Sequence, residues 1–280
     1  MLTARTAPDI PLIMKRAAIG LATWAILGSA CGPQISEQAQ RLSQNLVALA
    51  HESYGNGDLG DALRKGLQAI ETDPSNPDAT YVVAFIHAAR SEYVDAERYF
   101  LKTLELDDTY TDARNALGQI YNNQGRWADA IAILERAAED LLYPTPHLLF
   151  GNLGQAYLGA GRNDDAVDWL LRAIREEPRF CVGFLRLGDA FSRQGEDARA
   201  EEALAAAVAV DDPGCRALQP AWRLLGEVRL RLARPDEAAA AFARCAELDG
   251  RSDDGTACTA ALSGLPQPPV PEPPTVPPAP

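Results

Sequence analysis

The histidines and paired acidic residues are the side chains best suited to catalysis or metal binding, but their spacing favours neither. His51, His87 and His147 share no common spacing, and the sequence contains no nucleophile elbow, phosphate-binding loop or zinc motif. Acidic pairs such as Asp107-Asp108 and Asp164-Asp165 fall where helices are expected to begin or end, as solvated caps do. We therefore predict a protein that is not an enzyme and has no metal, cofactor or small-molecule substrate.

Cys31 offers a different chemistry, because it follows a segment typical of protein export. Lys15 and Arg16 precede an apolar run over residues 17–30. This run is shorter than the roughly 20 residues that cross a bilayer, and it suits the apolar core of a signal peptide. Met14-Lys15-Arg16 is a complete start for such a signal, so we expect translation to begin at Met14.

The residues around Cys31 resemble a bacterial lipobox, in which small residues precede a cysteine that is lipidated and becomes the mature N-terminus. The sequence reads Leu27-Gly28-Ser29-Ala30-Cys31, and Leu27 lies four residues before the cysteine where three is usual. Gly32 follows, and the absence of Asp at that position implies sorting to the outer membrane. The resemblance implies a lipid anchor at the periplasmic face of a bacterial outer membrane. Ordinary signal cleavage beside an incidental cysteine is the alternative.

The charge balance limits the kinds of partner. The whole chain carries a net charge of −13, and removal of residues 1–30 takes away three basic residues and one acidic residue, which gives −15. Such acidity argues against nucleic acid and against electrostatic binding to anionic lipid. Attachment to a membrane would therefore come from the lipid on Cys31.

An internal repeat defines the elements that would position a site. Alanines recur at intervals of 34 to 38 residues, at Ala62, Ala96, Ala130, Ala166, Ala200 and Ala238. The residue five positions earlier is mostly glycine, which a turn with positive φ favours. The residue four positions later is mostly large and apolar. A helical bundle without repeats is the alternative, but it would not give six matches in register.

This pattern resembles the tetratricopeptide repeat, whose period is near 34 residues. The resemblance implies an all-α fold, a right-handed solenoid of six helical hairpins with a C-terminal capping helix. We predict a signal peptide over residues 1–30, a lipidated tether over 31–36, and the repeats and cap over 37–263. Residues 264–280 are rich in proline and are expected to be a disordered polyproline II tail.

Four cysteines remain after Cys31, and an even number in an exported protein permits disulfides, with three possible pairings. Cys181 and Cys215 lie near the starts of the first helices of repeats five and six, which are neighbours in a solenoid. Cys245 lies late in the last repeat, and Cys258 lies in the expected capping helix. We predict the pairs Cys181–Cys215 and Cys245–Cys258; buried free thiols are the alternative.

The first helix of each hairpin should line a concave groove, which is the expected site for a protein partner. Amide side chains there would hold an extended peptide, and two aromatic rings would offer it an apolar surface. The predicted groove residues are Tyr81, Phe85, Asn115, Gln119, Asn122, Asn123, Gln155, Leu158, Arg193 and Arg223.

Two extra residues between repeats three and four carry a more specific resemblance. The step Tyr143-Pro144-Thr145-Pro146, followed by Asn152-Leu153-Gly154, resembles the pilotins of type IV pilus biogenesis (the PilF/PilW/Tgl type). The resemblance implies a chaperone that binds secretin subunits, or other envelope proteins, and promotes secretin insertion and multimerisation. The relaxed lipobox, the extra cysteines and the proline tail depart from that family. A lipoprotein adaptor that scaffolds peptidoglycan-remodelling enzymes is the alternative.

Overall fold

A computed structural model describes residues 35–265, which form helices and connecting loops without a strand. The helices are α1 (Glu37–Gly55), α2 (Leu59–Thr72), α3 (Pro77–Ala89), α4 (Tyr93–Leu106), α5 (Thr111–Asn123), α6 (Trp127–Ala137), α7 (Pro146–Gly159), α8 (Asn163–Glu176), α9 (Cys181–Gln194), α10 (Asp197–Ala209), α11 (Pro213–Arg216), α12 (Gln219–Arg231), α13 (Pro235–Leu248) and α14 (Asp253–Gly264). The predicted signal peptide, the lipidation site Cys31 and the tail after Leu265 lie outside this range. Among the described helices, none has both the length and the apolar character needed to cross a membrane.

Twelve of these helices pair into six antiparallel hairpins, and each hairpin packs against the next. The pairs are α1/α2, α3/α4, α5/α6, α7/α8, α9/α10 and α12/α13. Helix α14 packs on both α12 and α13 as the predicted cap. The predicted all-α solenoid is therefore confirmed. The short helix α11, which the sequence pattern did not predict, lengthens the connection between the last two hairpins.

The turns within the hairpins explain the glycines of the repeat. Gly57, Gly125, Gly161 and Gly195 all have positive φ, between 71° and 82°. In the two hairpins without glycine, Ser91 and Ala233 occupy the same left-handed region, with φ of 61° and 58°. A side chain at this conformation is disfavoured, so the packing of the two helices imposes the turn even where glycine is absent.

The alanines of the repeat are the contact points between helices. All six are fully buried. Four hairpins add a second close contact, in which a glycine of the first helix receives a large side chain of the second. Gly118 receives Leu134 in this way, and a Cβ at Gly118 would overlap that leucine. Small residues in the first helix and large ones in the second thus fit together as ridges and grooves.

Two disulfides close the C-terminal end of the array with the predicted pairing. Cys181, at the start of α9, is bonded to Cys215 in α11. Cys245 of α13 is bonded to Cys258 of α14. The first bond thus joins α9 to the connection that precedes the last hairpin, the second joins the last hairpin to the cap, and both belong to the C-terminal part of the array.

Candidate functional site

The first helices of the hairpins contact one another in sequence, from α1 through α3, α5, α7 and α9 to α12. They form one continuous face, the concave groove, with two separate clefts. The N-terminal cleft has a volume of about 250 Å³ and is lined by Tyr54, Phe85, Tyr93, Gln119 and Asn123, among others. The C-terminal cleft has a volume of about 480 Å³ and is lined by Trp127, Gln155, Leu185, Arg186, Asp189, Arg193, Pro220 and Leu224, among others.

Aromatic rings make the floor of the N-terminal cleft. The Phe85 ring meets Tyr54 edge-on, with ring centroids 5.0 Å apart, and stacks on Tyr81 at 6.2 Å. Tyr81 stacks in turn on Tyr110 at 5.0 Å. Contacts of this kind stabilise a cluster beyond the burial of its area. The rings are therefore held in place before any partner arrives.

Tyr81 and Tyr110 support this floor rather than present reactive hydroxyls. The Tyr110 hydroxyl donates a hydrogen bond to Asp78 Oδ1 at 2.8 Å. Burial raises the pKa of both phenols well above the ordinary value of tyrosine, and the Asp78 carboxylate adds to the effect at Tyr110. Both side chains are thus neutral, apolar packing surfaces at physiological pH.

The amides predicted to hold a peptide fall into two groups. Gln119 and Asn123 are exposed at the rim of the N-terminal cleft. Asn122 is only 2% exposed, and its Nδ2 donates to the backbone oxygen of Asn152 at 2.9 Å. Asn152 Nδ2 donates to Asn115 Oδ1 at 3.0 Å. The prediction was wrong for Asn122, because its side chain joins α5 to α7 and is closed to solvent.

Of the remaining predicted groove residues, Gln155, Leu158 and Arg193 line the C-terminal cleft and Arg223 does not. Both arginines are already paired with carboxylates. Arg193 bonds to the Asp189 carboxylate at 2.8 Å. Arg223 bonds to Asp254 and Glu227, each at 2.5 Å. Leu158 lines the cleft while only 5% exposed, so it contributes to the floor and little to the open surface.

Arg186 is the functional candidate that the sequence reading missed. Its guanidinium donates to the backbone oxygen of Gly151 at 2.9 Å and to Gln155 Oε1 at 2.5 Å. A signal was present in the repeat register. The residue fourteen positions before each repeat alanine lies in the first helix of the hairpin, and in chain order it is Ala48, Val82, Ala116, Asn152, Arg186 and Leu224. Only the fifth hairpin places a charge there.

The loop with the Tyr-Pro-Thr-Pro step is anchored at both ends and carries an apolar tip. The Tyr143 hydroxyl donates to Asp112 Oδ1 at 2.8 Å, and Asp140 Oδ2 accepts from the Thr111 hydroxyl at 2.7 Å. Leu141 and Leu142 are each 92% exposed between these anchors. The two extra residues of this connection therefore place a pair of leucines in solvent.

The histidines lie apart in the structure as in the sequence. His87 Nδ1 is 2.6 Å from Glu92 Oε2, at the turn of the second hairpin. His147 packs edge-on against Phe180, and His51 is exposed on α1. The three histidines lie in different hairpins and do not meet at a common site.

Comparison with protein families identifies the repeat. The tetratricopeptide repeat family profile matches residues 47–111, 115–179 and 185–253, which together make up more than half of the chain. A second profile of the same description matches residues 87–141.

Two curated relatives match at low identity. The type IV pilus assembly protein PilF of Pseudomonas aeruginosa is 29% identical over 130 residues, which cover 46% of this chain and 50% of PilF. Anaphase-promoting complex subunit 7 of Arabidopsis thaliana is 26% identical over 155 residues, which cover 52% of this chain and 27% of that protein. The alignments thus span half or less of these relatives.

Two solved structures have the same fold. The structure of P. aeruginosa PilF has a TM-score of 0.69 at 20% identity, over 80% of this chain and 99% of that one. The structure of PilW, described as a widely conserved type IV pilus biogenesis factor, has a TM-score of 0.70 at 20% identity, over 78% and 99%.

Proposed function

Because the chain belongs to the tetratricopeptide-repeat family, we propose that it binds a protein partner in its concave groove, as a pilotin for type IV pilus assembly. In this proposal the partner is a secretin subunit, which the protein brings to the outer membrane and helps to insert and multimerise. The similarity to PilF supports the pilus role, and the Tyr-Pro-Thr-Pro step supports the pilotin type.

The N-terminal cleft is the observation that carries the proposal. It combines a preformed aromatic floor with exposed amides, Gln119 and Asn123, at its rim. An extended peptide would pack apolar side chains on Phe85 and bond its backbone to the amides. Such a site binds a protein segment and performs no bond-making chemistry, so the proposed role is not enzymatic.

The lipid proposed on Cys31 supplies the second part of the mechanism. An anchored protein holds its bound partner close to the bilayer, which raises the effective concentration of that partner at the membrane. Stable anchoring and groove binding are then separable functions, since Cys31 lies outside the residues that form the groove.

Co-purification from cells tests the partner. The chromosomally tagged full-length protein, extracted in detergent, should co-purify with a secretin as its dominant partner in mass spectrometry. Phe85→Ala should reduce secretin recovery about tenfold, as truncation of a buried anchor residue does. The matched control is Leu171→Ala. Leu171 is 39% exposed and lies on α8, the second helix of its hairpin, whereas the groove is formed by first helices. Recovery of cell-wall enzymes without secretin would refute the pilotin role and favour the adaptor.

Removal of the lipidation site tests the anchor. Cys31→Ala should leave co-purification with secretin intact but shift the secretin multimers away from the outer-membrane fraction. Cys31→Ser gives the same expectation and controls for side-chain size. Normal outer-membrane multimers in either variant would contradict the proposed role of the lipid.

A further inference from the structure

We propose that the C-terminal cleft is a docking site for the Pro-rich tail of this same chain, residues 266–280, with Glu272 pairing with Arg186. This inference concerns the opposite end of the groove from the cleft assigned to the secretin. It stands or falls independently of the pilotin proposal.

The first argument is an unbalanced charge. Arg186 bonds to two neutral oxygens, the Gly151 carbonyl and Gln155 Oε1, and no carboxylate of residues 35–265 lies within 4.0 Å of it. The neighbouring arginines Arg193 and Arg223 each hold a carboxylate. Burial lowers the pKa of Arg186 to about 10, as expected for a cation removed from water. A partly buried cation of this kind favours an incoming anion.

The second argument is the composition of the tail. Nine of the 15 residues 266–280 are proline, and Glu272 is the one charged side chain among them. Prolines flank Glu272 on both sides, which favours polyproline II and leaves little conformational entropy to lose on binding. Polyproline II segments bind to grooves lined by aromatic and apolar side chains. The C-terminal cleft supplies such a lining with Trp127, Leu185 and Leu224.

The third argument is reach. The described chain ends at Leu265, which packs with α14 on the C-terminal hairpin. Glu272 is the seventh residue after Leu265, and seven residue steps of polyproline II span about 22 Å. Helix α14 packs on α12, and α12 packs on α9, which carries Arg186. Two steps between packed helices of 8–10 Å each amount to about 20 Å. Glu272 can therefore reach the α9 position along the groove.

A docked tail would fill the C-terminal cleft of its own chain. Tethered segments act at effective concentrations in the millimolar range, so even a weak contact keeps the cleft filled. A partner segment that enters the C-terminal cleft must displace the tail. The tail would thus select for partners that also carry an acidic, extended segment.

Photo-crosslinking in the full-length chain tests the docking. With p-benzoylphenylalanine at position 270 in place of Val270, irradiation should link the tail to α9 or α12 within one polypeptide. Glu272→Gln should lower the yield about fivefold, as loss of one ion pair does, and so should high salt. Arg186→Gln should act in the same way, provided that its circular dichroism spectrum matches the wild type.

The matched control is Glu71→Gln, which removes one exposed negative charge on α2, far from the cleft in sequence and in the hairpin order. It should leave the crosslink yield unchanged. Crosslinks that map outside the cleft, or a yield insensitive to Glu272→Gln, would overturn the proposal. Crosslinks that form only between two copies, and that vanish on dilution, would also overturn it. Because Glu272→Gln leaves the repeats untouched, misfolding of the repeats cannot explain its effect on the crosslink yield.

Discussion

Single residues decide how tightly each hairpin closes. The burial of the six repeat alanines and the positive φ of the turn glycines could be predicted, because the repeat spacing places the alanines at helix contacts and the glycines in the turns. The role of Arg186 could not be predicted in this way, since its lack of an acidic partner depends on which side chains surround it in three dimensions. Asn122 was misassigned for a related reason. Its position on the inner helix is correct, but the hydrogen bond to Asn152 turns it into the interior.

Gly118 gives a direct test of close packing. Gly118→Ala should destabilise the protein by about 1–3 kcal/mol, because the added methyl group overlaps Leu134. Gly60→Ala is the control, since Gly60 lies in the first turn of α2 with space around it. That change should be neutral or stabilising by about 0.4–1 kcal/mol. Equal melting temperatures for both variants would contradict this account of the packing.

Asp61 should make stability depend on pH. Its carboxylate bonds to Lys65 Nζ and to Ser53 Oγ, each at 2.7 Å, and these bonds hold its pKa well below the ordinary range. A lowered pKa in the folded state stabilises the protein above the unfolded value near 4, and this contribution disappears as the pH falls further.

Asp61→Asn should therefore lower the urea midpoint at pH 7, and the difference from wild type should narrow as the pH falls below about 4. Glu52→Gln, an exposed residue on α1, should show no such pattern. A constant difference between wild type and Asp61→Asn from pH 7 to pH 2.5 would count against the ion pair.

The helices and their arrangement in hairpins were the features best predicted from the sequence. Periodicity places each hairpin, and the repeat register brings the correct cysteines together, because equivalent positions of adjacent hairpins are neighbours. Helix α11 was missed, since a four-residue helix has no period to detect. The anchored loop with Leu141 and Leu142 was identified by its two extra residues, but its conformation depends on the distant Asp112, which bonds to Tyr143.

Removal of the second disulfide should loosen one element selectively. The bond closes a loop of 13 residues, for which chain entropy predicts about 3 kcal/mol of stabilisation. The double variant Cys245→Ala/Cys258→Ala should therefore speed hydrogen exchange in α14 by about 100-fold. Amides of α3 and α5 are the internal control and should not change. A uniform acceleration along the array would show that the cap is not an independent unit.

At the scale of the whole array, stability should rise from the first hairpin to the last. Within residues 35–265 each hairpin packs mainly against its neighbours, as in other repeat proteins, so local differences persist. The cross-links lie at the C-terminal end, while α1 and α2 have none.

Native-state hydrogen exchange of the oxidised protein should accordingly show the least protection in α1 and α2 and the most in α9 to α13. Reduction with dithiothreitol should remove the difference. Equal protection in all hairpins before reduction would indicate a single cooperative unit instead.

The position of the two disulfides also has a consequence for the timing of biogenesis. Before oxidation, the last two hairpins and the cap lack their covalent closure and should be no more stable than the first hairpins. A chain that must cross a membrane unfolded benefits from such a delay, because its final rigidity comes only in an oxidising compartment. Under the proposed export, the two bonds would set the time at which the protein becomes fully stable, because they would form only after the chain has crossed the membrane.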